Sequence, residues 1–125
     1  MAKIMVDLFA GCGGLSLGFE KAGFCVAFAN DINPISANTY IENIGIDKHR
    51  FYIGDINDIL KDYANYEKYF RGIDLLSGGP PCQGFSMVNR QRIIDDPRNI
   101  LHKSFLEILS KAPVFRNGKC KGYAK

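Results

Sequence analysis

Asp7-Leu8-Phe9-Ala10-Gly11-Cys12-Gly13-Gly14-Leu15-Ser16-Leu17-Gly18 is the stretch that decides the fold of this 125-residue chain. Ile4 to Phe9 is a short apolar run and reads as a buried strand. Gly11 to Gly14 break that run. Leu15, Leu17, Phe19 and Ala22 then supply the apolar face of a helix, which Gly23 is placed to end. Strand, glycine loop and helix together form the opening unit of a parallel α/β sheet.

The same alternation continues along the chain. Cys25 to Ala29 reads as a second strand, ending at Asn30-Asp31. Pro34 suits the first turn of a helix that runs to about Ile44, with Gly45 behind it. Phe51 to Ile53 is a short strand closed by Gly54-Asp55. Ile59 to Phe70 reads as one tyrosine-rich helix. Ile73 to Leu76 is a fourth strand, followed by Gly78-Gly79-Pro80-Pro81. Residues 84 to 98 are polar, basic and broken by Pro and Gly, so they read as a loop. Ile100 to Leu109 is a further helix, and Val114-Phe115 begins another strand. Each glycine-rich or acidic cluster falls at the carboxyl end of a strand, where open parallel sheets bind their ligands.

Composition sets the outer limits. With 46% hydrophobic and 23% charged residues, the chain excludes collagen, coiled coil and wholesale disorder, and it is long enough for one domain. A net charge of +3 is too small to argue for nucleic acid by itself. Cys12, Cys25, Cys82 and Cys120 show no C-x-x-C spacing and no nearby His, so no metal site is expected. No signal-like run opens the chain, and no apolar stretch approaches the roughly 20 residues of a membrane span. The expectation is a cytoplasmic protein with free thiols and no membrane contact.

Three strand ends carry candidate ligand groups. Glycines between a strand and a helix let the backbone approach a ligand closely. The phosphate fingerprint G-x-G-x-x-G fails here, because its third glycine would fall on Ser16. The ligand is therefore expected to lack a pyrophosphate. Asp31 stands about 20 residues past the first glycine, where an acid accepts bonds from ribose hydroxyls. Asp55 could meet a base or an amino group. Cys82 follows two prolines that stiffen its loop, at the end of the fourth strand, where a nucleophile would stand. His49 and His102 are not locally paired with it, which gives a Cys–His hydrolase little support.

Phe9-Ala10-Gly11-Cys12-Gly13-Gly14, taken with Gly79-Pro80-Pro81-Cys82-Gln83-Gly84-Phe85-Ser86, resembles the DNA cytosine-5 methyltransferases. The resemblance runs from about Met5 to Phe115. It implies the S-adenosylmethionine-dependent, Rossmann-like α/β fold, with an incomplete parallel-type sheet and flanking helices. It implies that Phe9, Gly11, Gly13 and Gly14 line the S-adenosylmethionine site. Asp31 would hold the ribose and Ile32 would lie under the adenine. Asp55 and Ile56 would meet the adenine edge, and Pro81 and Leu101 would complete the pocket. Cys82 would attack carbon 6 of a cytosine flipped out of double-stranded DNA. Ser86, Arg90, Arg92 and Arg98 would lie near that DNA.

The same resemblance calls for a Glu-Asn-Val motif just after Val114-Phe115. Residues 1–115 therefore read as the N-terminal portion of the catalytic domain, and residues 116–125 as an out-of-frame or irregular tail. One choice of codons for Arg116 to Lys125, shifted by one base, translates as Val-Met-Glu-Asn-Val-Lys-Gly-Met-Leu. A frameshift near Phe115–Arg116 is thus expected. Sequencing the locus tests it, and finding no Glu-Asn-Val in the other frame rules it out. Two other readings remain open. One is a half-enzyme that pairs with a separately encoded C-terminal half. The other is a nucleotide-dependent oxidoreductase on the same sheet, against which Ser16 and the Pro-Pro-Cys loop both count.

Overall fold

The computed structural model describes residues 3–79 and 100–112, together with the backbone of three two-residue strands beyond them. The elements alternate as the sequence predicts. Strand β1 (Lys3–Leu8) leads to helix α1 (Gly14–Lys21), β2 (Phe24–Asp31) to α2 (Pro34–Ile44), and a short 3₁₀ turn (Lys48–Arg50) to β3 (Phe51–Ile53). Then come α3 (Ile56–Lys61), α4 (Tyr63–Phe70), β4 (Leu75–Gly78) and α5 (Ile100–Lys111). The sheet order is β3-β2-β1-β4, all parallel.

Two sequence expectations need correction. The single helix at 59–70 is two helices. Asp62 leaves helical geometry at φ −118° and ψ 34°, and its carboxylate holds the Asn65 side-chain amide. Helix α3 also starts earlier than expected, at Ile56, because the Asp55 side chain caps it by accepting the Asn57 backbone amide. The fourth strand is Leu75–Gly78, two residues later than Ile73 to Leu76. Asp74 is taken up elsewhere: its amide donates to the Ile4 carbonyl, and its carboxylate accepts the Ile4 amide.

Residues 116–125, expected to be out of frame or irregular, carry short strands. Backbone at Phe115–Arg116 (β5) pairs antiparallel with Lys119–Cys120 (β6). Tyr123–Ala124 (β7) adds to the sheet parallel to β4.

The sheet separates two apolar layers by strand alternation. Val6, Leu8 and Leu76 face one side, where they pack with Ile59, Phe70, Phe105 and Ile108 of α3, α4 and α5. Met5 and Leu75 face the other side, with Ala37 and Tyr40 of α2. Asp7 and Ser77 stand in register on β1 and β4. Alternation puts both on the α1/α2 side, so a carboxylate is forced into an otherwise apolar layer.

Candidate functional site

The carboxyl ends of β1, β2 and β3 and the start of α5 enclose a cavity of about 480 Å³. Its walls are Phe9 behind β1, Asn30, Asp31 and Ile32 at the end of β2, and Gly54 to Asn57 behind β3. Gly79, Ile100 and Leu101 close it. The lining is mostly apolar, with two carboxylates and no cation among the described residues.

Each polar wall residue is fixed by a bond that the fold supplies. Asn30 is buried, and its side-chain amide donates to the Tyr52 carbonyl at 2.7 Å and to the Gly54 carbonyl at 3.0 Å. That ties the end of β2 to the turn after β3. Asp31 uses one carboxylate oxygen to accept the Gly11 amide at 2.8 Å. Its other oxygen accepts the Asn33 amide, also at 2.8 Å. A carboxylate offers about four acceptor sites, so each oxygen keeps one for a ligand. Asp55 likewise spends one oxygen on the Asn57 amide at 2.8 Å.

Phe9 is the one described residue other than glycine with positive φ, at 54°. Such a conformation persists only where the surroundings enforce it. Here the Ala10 amide donates to the Asn30 carbonyl at 2.9 Å, and the Phe9 ring packs 6.5 Å from that of Phe105. The ring is thereby turned into the cavity wall. Gly78 at the end of β4 allows the same crowding from the other side. A Cβ there would lie 2.6 Å from the Phe105 ring and 2.9 Å from the Leu8 carbonyl oxygen.

Six of the residues assigned to the cofactor by resemblance meet in this cavity: Phe9, Asp31, Ile32, Asp55, Ile56 and Leu101. Gly11, Gly13 and Gly14 do not line it. Gly11 meets the site through its bond to Asp31. Gly13 has φ +96°, and a Cβ on it would stand 2.9 Å from the Tyr40 ring, so its bareness serves the packing of α1 on α2. Gly13→Ala is expected to cost about 2 kcal/mol in urea unfolding, from backbone strain plus overpacking. A cost below about 0.5 kcal/mol would mean that Tyr40 moves freely. Pro81, Cys82, Ser86, Arg90, Arg92 and Arg98 lie outside the described residues.

Sequence reasoning missed Asn30, Gly54, Asn57, Gly79 and Ile100 as wall residues. It also missed a buried polar chain beneath the glycine loop. Ser16 donates to Asp7 at 2.5 Å and lies 2.5 Å from the Tyr40 hydroxyl, while Ser77 donates to Asp7 at 3.0 Å. Burial pushes the Asp7 carboxyl up to about 6, against the opposing pull of Ser16 and Ser77 and with a small push from the Asp31 charge. Burial also raises the Tyr40 phenol. The one signal in the sequence was Ser16 standing where a phosphate fingerprint needs glycine.

Comparison with known proteins decides the family. Residues 4–113 match the family model of the C-5 cytosine-specific DNA methylases. This chain belongs to that family. It is 38% identical over 111 residues to the type II methyltransferase M1.HphI of Haemophilus parahaemolyticus, covering 87% of this chain and 29% of that protein. It is 41% identical over 122 residues to M.XorII of Xanthomonas oryzae pv. oryzae, covering 93% and 28%. A solved prophage-encoded protein of Escherichia coli, named as a DNA modification methyltransferase, superposes with a TM-score of 0.63. Identity there is 35%, with 89% of this chain and 29% of that chain covered. The chain thus spans less than a third of these relatives. The cytosine-5 methylases are S-adenosylmethionine-dependent enzymes of this α/β fold. Among the described residues no cluster of His, Cys, Asp or Glu could hold a metal, and no helix is long and apolar enough to cross a membrane.

The cavity suits the adenosine part of such a cofactor. Its volume lies in the range of small-molecule sites. Phe9, Ile32, Ile56 and Leu101 supply apolar surface for a flat ring, and the two carboxylates supply acceptors for hydroxyl and amino groups. Among the described wall residues the two carboxylates stand without a cation, which disfavours a pyrophosphate there.

Proposed function

We propose that this chain is the cofactor-binding and cysteine-bearing part of a cytoplasmic DNA cytosine-5 methyltransferase of a restriction–modification system. The observation that carries the reading is the cavity in which Phe9, Asp31, Ile32, Asp55, Ile56 and Leu101 converge. Asp31 accepts from the ribose hydroxyls with the acceptor sites its two backbone bonds leave open. Asp55 accepts from the adenine amino group beside Ile56. Phe9, Ile32 and Leu101 keep water from the ring, and the family resemblance assigns Pro81 to the same pocket. Gly11, Gly13 and Gly14 shape the loop above. S-Adenosylmethionine supplies a methyl group carried on a sulfonium.

Carbon 5 of cytosine is a weak nucleophile, so the base must be activated. The Cys82 thiolate adds to carbon 6 of a cytosine flipped out of the duplex, and the ring electrons shift to make carbon 5 an enamine carbon. After carbon 5 gains the methyl group it loses its proton to water, and the released electron pair re-forms the carbon 5–carbon 6 double bond. The sulfur–carbon bond then breaks and returns the thiolate. Ser86, Arg90, Arg92 and Arg98 lie along the DNA, where the arginines meet phosphate without reading sequence.

Calorimetry on the 125-residue chain tests the cofactor assignment. S-Adenosylmethionine is expected to bind and NAD is not. Asp31→Ala is expected to weaken binding by at least about tenfold, the loss of two charge-assisted bonds. Binding of NAD in place of S-adenosylmethionine would return the chain to the oxidoreductase reading.

A further inference from the structure

We propose that Asn57 is a further binding residue of the cavity and that Ser104 is the residue that positions it. The Asn57 amide nitrogen donates a hydrogen bond to a ring nitrogen of the purine. The inference rests on the S-adenosylmethionine reading and assigns one more contact within it.

Three observations carry it. Asn57 lines the cavity beside Asp55 and Ile56. Its side-chain oxygen lies 2.7 Å from the Ser104 hydroxyl, and Ser104 is itself buried on α5. The structure sets the amide oxygen, not the nitrogen, against Ser104, at a separation usual for O–H···O. The Ser104 proton has one other acceptor, the Ile100 carbonyl, at a much longer 3.4 Å. The hydroxyl therefore donates to Asn57 and holds the amide oxygen toward α5.

That orientation sets what the cavity receives. With its oxygen held, the amide presents its nitrogen, and the two N–H bonds there meet no acceptor among the described residues. The neighbouring wall groups, Asp31 and Asp55, are acceptors. Among the described wall residues, where the Asn30 amide is already spent, Asn57 is thus the side-chain donor beside two acceptors. A purine offers acceptors at its ring nitrogens and a donor at its amino group. An acceptor at Asp55 and a donor at Asn57, two residues apart, match that alternation. Ser104 contributes by preventing the amide from turning over. A flipped amide would offer a second acceptor and would lose the match.

The test uses the full 125-residue chain and S-adenosylhomocysteine, together with its 1-deaza, 3-deaza and 7-deaza analogues, by calorimetry. Asn57→Ala is expected to weaken S-adenosylhomocysteine about tenfold, and Ser104→Ala about threefold. One deaza analogue is expected to bind the unaltered chain about tenfold more weakly than the parent, with that penalty gone in Asn57→Ala and reduced in Ser104→Ala. A merely structural role would weaken all four ligands alike and leave every deaza penalty in place, which overturns the proposal. Asn57→Asp, which swaps the donor for a charged acceptor, is expected to bind more weakly than Asn57→Ala; equal or tighter binding overturns it as well. Thermal unfolding of each variant separates loss of fold from loss of contact. No binding of S-adenosylhomocysteine by the unaltered chain removes both the proposal and the cofactor reading. Binding that Asn57→Ala leaves unchanged removes the proposal alone.

Discussion

Ser16→Ala is expected to lower the stability of this chain by about 3 to 4 kcal/mol at neutral pH, a large share of what a small domain has. The protons of the buried chain account for the size of the effect. Ser16 gives its proton to Asp7, so the bond between Ser16 and Tyr40 needs the Tyr40 proton. Ser77 gives its own to the other Asp7 oxygen. Every donor then has one acceptor, and the acceptor at the end is an ionised carboxylate. Removing the Ser16 hydroxyl takes a charge-assisted bond from Asp7 and strands the Tyr40 hydroxyl, both in sites with essentially no solvent. Each loss is worth roughly 1 to 3 kcal/mol. Urea unfolding measures it, and a loss under about 1 kcal/mol would mean that water or a rotated side chain replaces the hydroxyl.

The same chain sets a pH dependence. The Asp7 carboxyl rises from 3.8 to about 6 because burial disfavours its charge. The folded state therefore holds the Asp7 proton more tightly than the unfolded state does. Its contribution favours folding fully below the unfolded value near 4 and is lost as pH rises through about 6. The swing is about two pH units, or roughly 3 kcal/mol. Asp7→Asn removes it. The stability of the unaltered chain minus that of Asp7→Asn is expected to fall by about this amount between pH 4 and pH 7. A difference that stays flat across the range would place the titration elsewhere.

What the sequence disclosed, and what it withheld, follows from the distance over which each residue acts. Asp31 and Asp55 were placed at strand ends by the sequence pattern alone, and both line the cavity. The α/β alternation was legible because each strand and helix carries its own apolar period. Asn30 and Asn57 were not, because their partners lie 22 to 47 residues away and come close only across the finished sheet. Asp62 read as part of one helix, since Ile59 before it and Tyr63, Tyr66 and Phe70 behind it keep one helical apolar period. Ser16 showed itself only as the wrong residue for a phosphate loop. Its reason depended on Asp7 nine residues back and Tyr40 on another helix.

The 125-residue chain, given labelled S-adenosylmethionine and duplex DNA, is expected to transfer no methyl group to cytosine above background. In the proposed mechanism, addition of the Cys82 sulfur to carbon 6 would move negative charge onto the pyrimidine ring, and a proton would have to reach the ring nitrogen for the adduct to form at a useful rate. The family resemblance assigns that task to a glutamate in a Glu-Asn-Val motif, and none occurs among these 125 residues. General acid assistance is worth about 10² to 10⁴ in rate. The flipped base needs a second grip as well. Under the proposed function Arg90, Arg92 and Arg98 would offer only phosphate contacts, whose strength falls with salt and which carry no sequence information. The two deficits together put the expected rate at least about a thousandfold below that of a full-length relative. Cofactor binding by the same preparation must persist, so that inactivity reports missing chemistry and not a missing fold. Adding the remainder of a relative from its Glu-Asn-Val strand onward is expected to restore transfer, and Cys82→Ser to abolish the restored activity. Transfer by the chain alone at even a hundredth of the relative's rate would show that the acid assigned to the glutamate is supplied by a residue already within these 125.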